Sequence, residues 1–199
     1  MKRRGTEHGI YSSFLYVIMV LEFLATGFEE IEALTPVDVL RRAGVDVKTV
    51  AVGCDGKTVV GAHGIAVQAD FTMNEALLID SFDMIILPGV MPGSKNLDES
   101  LEVDAFVRRA AEEGKYIAAI CAAPMIPGKR GLLNGKRAVC YPGFEEYLSG
   151  AILTGGRVEV DGNMITACGM GAALEFALAL TQLLKGESAA AELKSAVLA

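Results

Sequence analysis

The chain has 199 residues, 52% of them apolar, and a net charge of −7, a composition that provides a sizeable core and excludes a disordered protein. An acidic balance with no basic run except Lys2-Arg3-Arg4 excludes nucleic acid as the main partner. The cysteines at 54, 121, 140 and 168 show neither C-x-x-C pairs nor the density of a stapled secreted fold, which argues for a reducing, cytoplasmic setting with no zinc site.

Residues 1–18 open on a basic start and run into the apolar stretch Ile10 to Leu21, which superficially resembles a secretory signal. Glu22 interrupts that run, which is too short to span a bilayer comfortably. Cleavage near Ala25 would also destroy the first core strand. The reading is an N-terminal extension over 1–18, with Met19 as the natural start, followed by a single domain over 19–199; a membrane anchor is the alternative.

In chain order, Val20 to Ala25 reads as a buried strand and Thr26-Gly27 as a turn. Ile31, Leu34, Val37 and Leu40 then recur at helical spacing up to a C-capping Gly44. Pro36 should bend this helix or mark a restart capped by Thr35. Val45 to Gly53 is a second strand, and Thr58 to Val60 with Ile65 to Gln68 a short hairpin around Gly61-Ala-His-Gly64. Asp83 to Leu87 is another continuous apolar strand, leading into the loop Pro88-Gly-Val-Met-Pro-Gly93. Leu101 to Gly114 is an amphipathic helix with Leu101, Phe106 and Val107 inward.

Lys115 to Pro124, KYIAAICAAP, follows. Tyr116 to Ile120 has no polar residue to show to water and reads as a strand inside a parallel sheet, with Cys121 at its end. Ala122-Ala123 let the backbone turn sharply into a helix, the cysteine version of a nucleophile elbow. Amides at a helix start favour thiolate and should lower the thiol pKa. The alternative is that Cys121 is one more buried cysteine filling a strand end. Further on, Lys136 to Cys140, Arg157 to Val160 and Met164 to Thr166 read as strands, and Gly171 to Gly186 and Glu187 to Leu198 as helices. Strands alternating with helices predict one doubly wound α/β domain with a mostly parallel sheet.

Ligands of such sheets bind beyond the carboxyl ends of the strands, where Gly27 to Glu32, Pro88 to Gly93 and Cys121 would converge. Glu29 and Glu30 are accounted for as solvated acids at a helix start. Glu32, flanked by Ile31 and Ala33, has a helical phase that carries it toward the strand ends.

The segments ATGFEEIEALTPVDVLRRAG, ILPGVMPGSKNL, AAICAAP and ALEFALAL, in this order, resemble the ThiJ/PfpI superfamily, in the branch of the parkinsonism-associated protein deglycase and its bacterial relatives. The resemblance covers roughly Met19 to Leu198. It implies a flavodoxin-like sandwich, a homodimer without cofactor or metal, and a reactive cysteine hydrogen-bonded by a protonated glutamate. Position by position, Cys121 is that cysteine and Glu32 that glutamate, with an oxyanion pocket built from backbone at Gly89, Val90 and Ala122. The chain also departs from the pattern. Val90 stands where relatives often carry a second glycine, and Tyr141 where deglycase-type relatives place a histidine. Cys168 and His63 replace arginines, so an anionic ligand loses positive charge.

Two functions follow. In the first, the Cys121 thiolate adds to a reactive aldehyde such as methylglyoxal, or to its protein adducts, while Glu32 shuttles protons. In the second, Cys121 is oxidised and the protein serves as a redox sensor or stress chaperone. Cys140 and Cys168 are either structural thiols or resolving partners of Cys121. A thiamine-related role has no support in the residues.

Overall fold

The computed structural model describes residues 17–199; the extension expected over 1–18 lies outside them except for Val17 and Ile18. Ile18 packs against the core, and its carbonyl accepts the Asp46 amide at 3.1 Å.

The chain runs β1 (Met19–Ala25), α1 (Glu30–Arg42), β2 (Asp46–Val52), β3 (Thr58–Val60), β4 (Ala66–Gln68), β5 (Phe71–Thr72) and α2 (Met73–Ala76). It continues through β6 (Met84–Leu87), α3 (Gly93–Glu99), α4 (Leu101–Glu112), β7 (Tyr116–Ile120) and α5 (Met125–Lys129). The last part holds β8 (Arg137–Ala138), β9 (Ile152–Leu153), β10 (Val158–Asp161), β11 (Met164–Ala167), α6 (Ala173–Lys185) and α7 (Glu187–Ala196). Seven strands form one sheet in the order β10-β11-β7-β6-β1-β2-β5, parallel except where the edge strand β10 pairs with β11. The molecule is thus the flavodoxin-like α/β sandwich that the alternation of elements predicts.

The parallel strands read as continuous apolar runs because both of their faces are covered. Leu21, Phe23, Ile85, Leu87, Ile117 and Ala119 pack on one side against Val103, Phe106, Val107 and Ala110 of α4. The alternate residues Val20, Met84, Ile86, Ala118 and Ile120 pack on the other against Val37 and Leu40 of α1 and Phe176 and Leu180 of α6.

Several local expectations change. Leu101 is 83% exposed, because the stripe of α4 is set by Val103, Phe106, Val107 and Ala110, and a residue two positions before Val103 falls on the far side. Helix α1 passes through Pro36 without a restart and is capped by Glu29, not Thr35. Its buried side is Glu30, Glu32, Ala33, Val37 and Leu40, while Ile31 and Leu34 face outward. The stretch 136–140 supplies only the short β8, which pairs with β9 in a separate two-stranded ribbon and does not join the main sheet as a strand.

Glu22 is the exception in β1. It is 0% exposed, and neither carboxyl oxygen has a hydrogen-bond partner among the described residues. Burial pushes its pKa well above the carboxylate range, against a smaller opposing pull from Arg41.

Candidate active site

From β1 the chain winds outward through β2 and β5, then returns on the other side of β1 to β6, β7 and β11. That reversal puts the crevice of the sheet at the carboxyl ends of β1 and β6. Three segments leave the sheet there: the turn into α1, the loop Pro88 to Gly93, and Cys121 directly after β7.

Cys121 has φ +64°, a left-handed backbone that a residue with a β-carbon adopts only under constraint. The constraint is visible. Its amide donates to the Ala167 carbonyl and its carbonyl accepts the Tyr141 amide, each at 2.8 Å, so the end of β11 and the segment before Pro142 clamp it from both sides. The helix expected straight after Ala122-Ala123 begins only at Met125 and is 5 residues long. What meets the sulfur is therefore the N–H of Ala122 and that of Val90, itself at φ +68°.

Glu32 comes from the first turn of α1, which Glu29 fixes by accepting the Glu32 amide at 2.7 Å. Its side chain is buried, accepts the Gly89 amide at 2.9 Å and the Met170 amide, and shares a hydrogen bond with the Cys121 thiol. Gly89 is required at this contact, because a β-carbon there would collide with the Glu32 carboxyl and with Cβ of Cys121. The Gly89 amide thus serves Glu32, and the donors left for the sulfur are Val90 and Ala122.

Burial raises the Glu32 carboxyl to about 7, and the Glu29 carboxylate adds to the rise, against the hydrogen bonds from Cys121, Gly89 and Met170. The thiol moves opposite to the sequence-based expectation. Burial, followed by the charge and hydrogen bond of Glu32, pushes Cys121 up to about 12, against the pull of the Val90 and Ala122 amides. With both groups against each other, the first proton to leave and the second belong to the pair. Between about 7 and about 12 the pair carries one negative charge shared across a single hydrogen bond.

Cys121, Ala122, Glu32, Val90, His63 and Tyr141 line one cavity of about 360 Å³. Cys168 is outside it, lining an adjacent cavity of about 440 Å³ with Cys140 and Arg157. A larger space of about 500 Å³, around Asn96 and Ser100, has no cysteine or histidine in its wall and no nucleophile of comparable character. Met91, Phe144 and Met170 also reach the Cys121 cavity. Met170 arrives from the turn before α6, where the sequence marks it only as standing in place of a proline of the resembled family; the glycine-proline loop points to Met91.

His63 rides on the turn between β3 and β4. That hairpin is tied to the start of α1 by the Gly27 amide to the Val60 carbonyl and the Ala62 amide to the Phe28 carbonyl, each at 2.8 Å. Glu30, read from sequence as solvated, is buried beneath it: one oxygen accepts the His63 amide at 2.7 Å and the other lies 2.6 Å from Nδ1. Gly61 leaves room for this carboxyl, since a β-carbon there would strike it. Glu29, Glu30 and His63 bring one ligand atom each within 4.8 Å of one another. One Glu30 oxygen is taken by the His63 amide and the other by Nδ1, so the group is a hydrogen-bonded carboxylate–imidazole pair and not an open cation site.

A family model described as DJ-1/PfpI matches residues 18–183. DJ-1 homolog B of Arabidopsis thaliana is 41% identical over 87% of this chain, which spans only 40% of that relative. A deglycase of Pyrococcus horikoshii is 30% identical over 74% of this chain and 88% of its own. Among solved structures, that of oxidized Toxoplasma gondii DJ-1 superposes with a TM-score of 0.86 at 36% identity, covering 92% of this chain and 98% of that one.

Proposed function

The chain belongs to the DJ-1/PfpI family, and from that premise we propose that it is a cysteine-dependent enzyme of the deglycase and glyoxalase type, acting on reactive aldehydes such as methylglyoxal or on their protein adducts. The observation that carries this reading is the Glu32 carboxyl hydrogen-bonded to the Cys121 thiol, with the Val90 and Ala122 amides directed at the sulfur.

The Cys121 thiolate adds to the aldehyde carbon; the C–S bond forms, the C=O π bond opens, and the oxygen takes the Glu32 proton. Glu32, now ionised, removes the hydrogen of that carbon and delivers it to the neighbouring one, while the hydroxyl proton passes from the first oxygen to the second through the enediol, converting the hemithioacetal into a thioester. The Val90 and Ala122 amides stabilise the oxyanions. Water then releases a 2-hydroxy acid. The apolar walls of Met91, Phe144 and Met170 suit a small uncharged substrate.

The test is conversion of methylglyoxal to lactate without added thiol. Wild-type turnover that Cys121→Ser abolishes is the expected outcome; equal rates in the two proteins overturn the reading.

The same donors would hold the oxygens of an oxidised Cys121, which favours a second, redox-sensing role; the T. gondii neighbour is described as oxidized. All four cysteines are free, in keeping with a reducing compartment such as the cytoplasm. No helix of the described residues is long and apolar enough to cross a membrane. A homodimer through the outer face of α1, where Ile31 and Leu34 are exposed, completes the proposal.

A further inference from the structure

We propose that His63, oriented by Glu30, is the general base that activates water to open the Cys121 thioester. This rests on the thiol chemistry above and assigns the step for which Glu32 is badly placed. Glu32 is 1% exposed and its carboxyl is engaged by Gly89, Met170 and Cys121, so it moves protons between substrate atoms but has little contact with water. Hydrolysis needs a base that reaches both the cavity and solvent. The His63 side chain is 68% exposed and lines the same cavity as Cys121.

The tautomer follows from its partner. Glu30 is held below the usual carboxylate range by the His63 side chain and backbone hydrogen bonds, in spite of burial, so it is ionised and has no hydrogen to give. The hydrogen in the 2.6 Å contact must sit on Nδ1. In the neutral ring this leaves the Nε2 lone pair as the acceptor, and Nε2 has no hydrogen bond among the described residues. Glu30 is 5% exposed at its side chain and packed against Gly61, so the imidazole of this cavity-lining residue is held on a fixed carboxylate.

Water gives a proton to Nε2 as its oxygen bonds to the thioester carbonyl carbon. The tetrahedral intermediate collapses, the C–S bond breaks, and sulfur leaves as thiolate facing the Val90 and Ala122 amides. The acid product gives its carboxyl proton to Glu32, which restores the single negative charge of the pair, and departs as a carboxylate; the imidazolium returns its proton to solvent, which its exposure permits. The charged or titratable groups around His63 are Glu30 and Glu29 from the head of α1 and, across the cavity, Glu32, Cys121 and Tyr141. The hydrogen bond and charge of Glu30 raise the His63 pKa above the free imidazole value. Deacylation should therefore rise with pH along a limb above about 6.5.

The experiment uses p-nitrophenyl acetate, which acylates a thiol directly and bypasses the aldehyde chemistry. A nitrophenolate burst reports acylation of Cys121 and the following steady rate reports deacylation. His63→Gln should keep the burst and slow the steady rate by about 10²-fold, with acetyl-Cys121 accumulating in the intact mass. Glu30→Gln, which keeps the shape but removes the charge, should move the deacylation limb to lower pH, a shift that a merely structural role would not produce. An unchanged steady rate in His63→Gln, or no burst in the wild type, overturns the proposal. A burst with normal His63 dependence but no methylglyoxal turnover would instead discard the aldehyde reading and leave the base assignment standing.

Discussion

The Glu32 carboxyl and the Cys121 thiol hydrogen-bond each other behind Gly89, in a pocket with one negative charge to divide between them. If the charge resides on sulfur when an electrophile arrives, iodoacetamide labelling of Cys121 should rise with pH through about 7, the first ionisation of the pair. In Glu32→Gln the thiol titrates alone in a buried site, and the limb should move above the ordinary thiol value of about 8.5. A wild-type limb only near 12, falling to lower pH in Glu32→Gln, would place the charge on the carboxylate and leave Cys121 unreactive at neutral pH.

Glu22 gives a stability prediction. A carboxyl whose folded pKa lies above its unfolded value keeps a proton that the unfolded chain releases, so its contribution is present at low pH and fades as pH rises. For Glu32 the window runs from about 4.5 to about 7; Glu22 acts in the same direction. Glu22→Leu removes an unpaired buried carboxyl from the core and should stabilise the fold by about 1–3 kcal/mol at neutral pH. The melting temperature should rise by roughly 2–4 °C per kcal/mol, and its decline with pH should flatten. A lower melting temperature for Glu22→Leu at pH 7.5 would show that the carboxyl has a structural partner.

Gly89→Ala separates geometry from chemistry. The added methyl meets the Glu32 carboxyl and Cβ of Cys121, and both sit on elements fixed by the sheet. Turnover should drop by about 10²-fold or more through misplacement of the pair, and the melting temperature should fall as for an overpacked core. Kinetics and melting like those of the wild type would mean that the β6 loop moves freely.

Dimerisation is tested on α1. Arg41 and Arg42 are engaged within the chain by Asp70 and Asp38. Ile31 at 50% exposure and Leu34 at 36% are what remains for an apolar contact. Light scattering should give twice the chain mass for the wild type and one chain mass for Ile31→Glu. A monomeric wild type at micromolar concentration removes the dimer.

The order of elements was legible because β6 and β7 are unbroken apolar runs, β1 is broken only by Glu22, and each long helix has a periodic face. The exceptions share a cause. α2 and α3 are 4 and 7 residues long, too short for periodicity to register. Along α1 the apolar positions 31, 34, 37 and 40 suggested the inward stripe, yet the head of the helix turns Glu30 and Glu32 inward and Ile31 outward. There the cavity and the hairpin decide the phase, not hydrophobicity. Cys121 and Glu32 could be named from motifs. The Glu30–His63 pair could not, since its partners are 33 positions apart and meet only through the docking of a hairpin. The direction of the thiol shift was missed for a similar reason: a motif shows which amides follow the cysteine, but not how little water reaches it.

The left-handed backbone at Cys121 and at Val90 sets stability and reactivity against each other. Glycine would sit comfortably at either position, whereas each present side chain holds strain on the order of 1–3 kcal/mol. A random library of this chain selected only for heat resistance should therefore drift toward glycine at 121, shedding the sulfur while the fold improves. Retention of cysteine through such a selection would need activity to be selected alongside it, so the two pressures can be read against each other at a single codon.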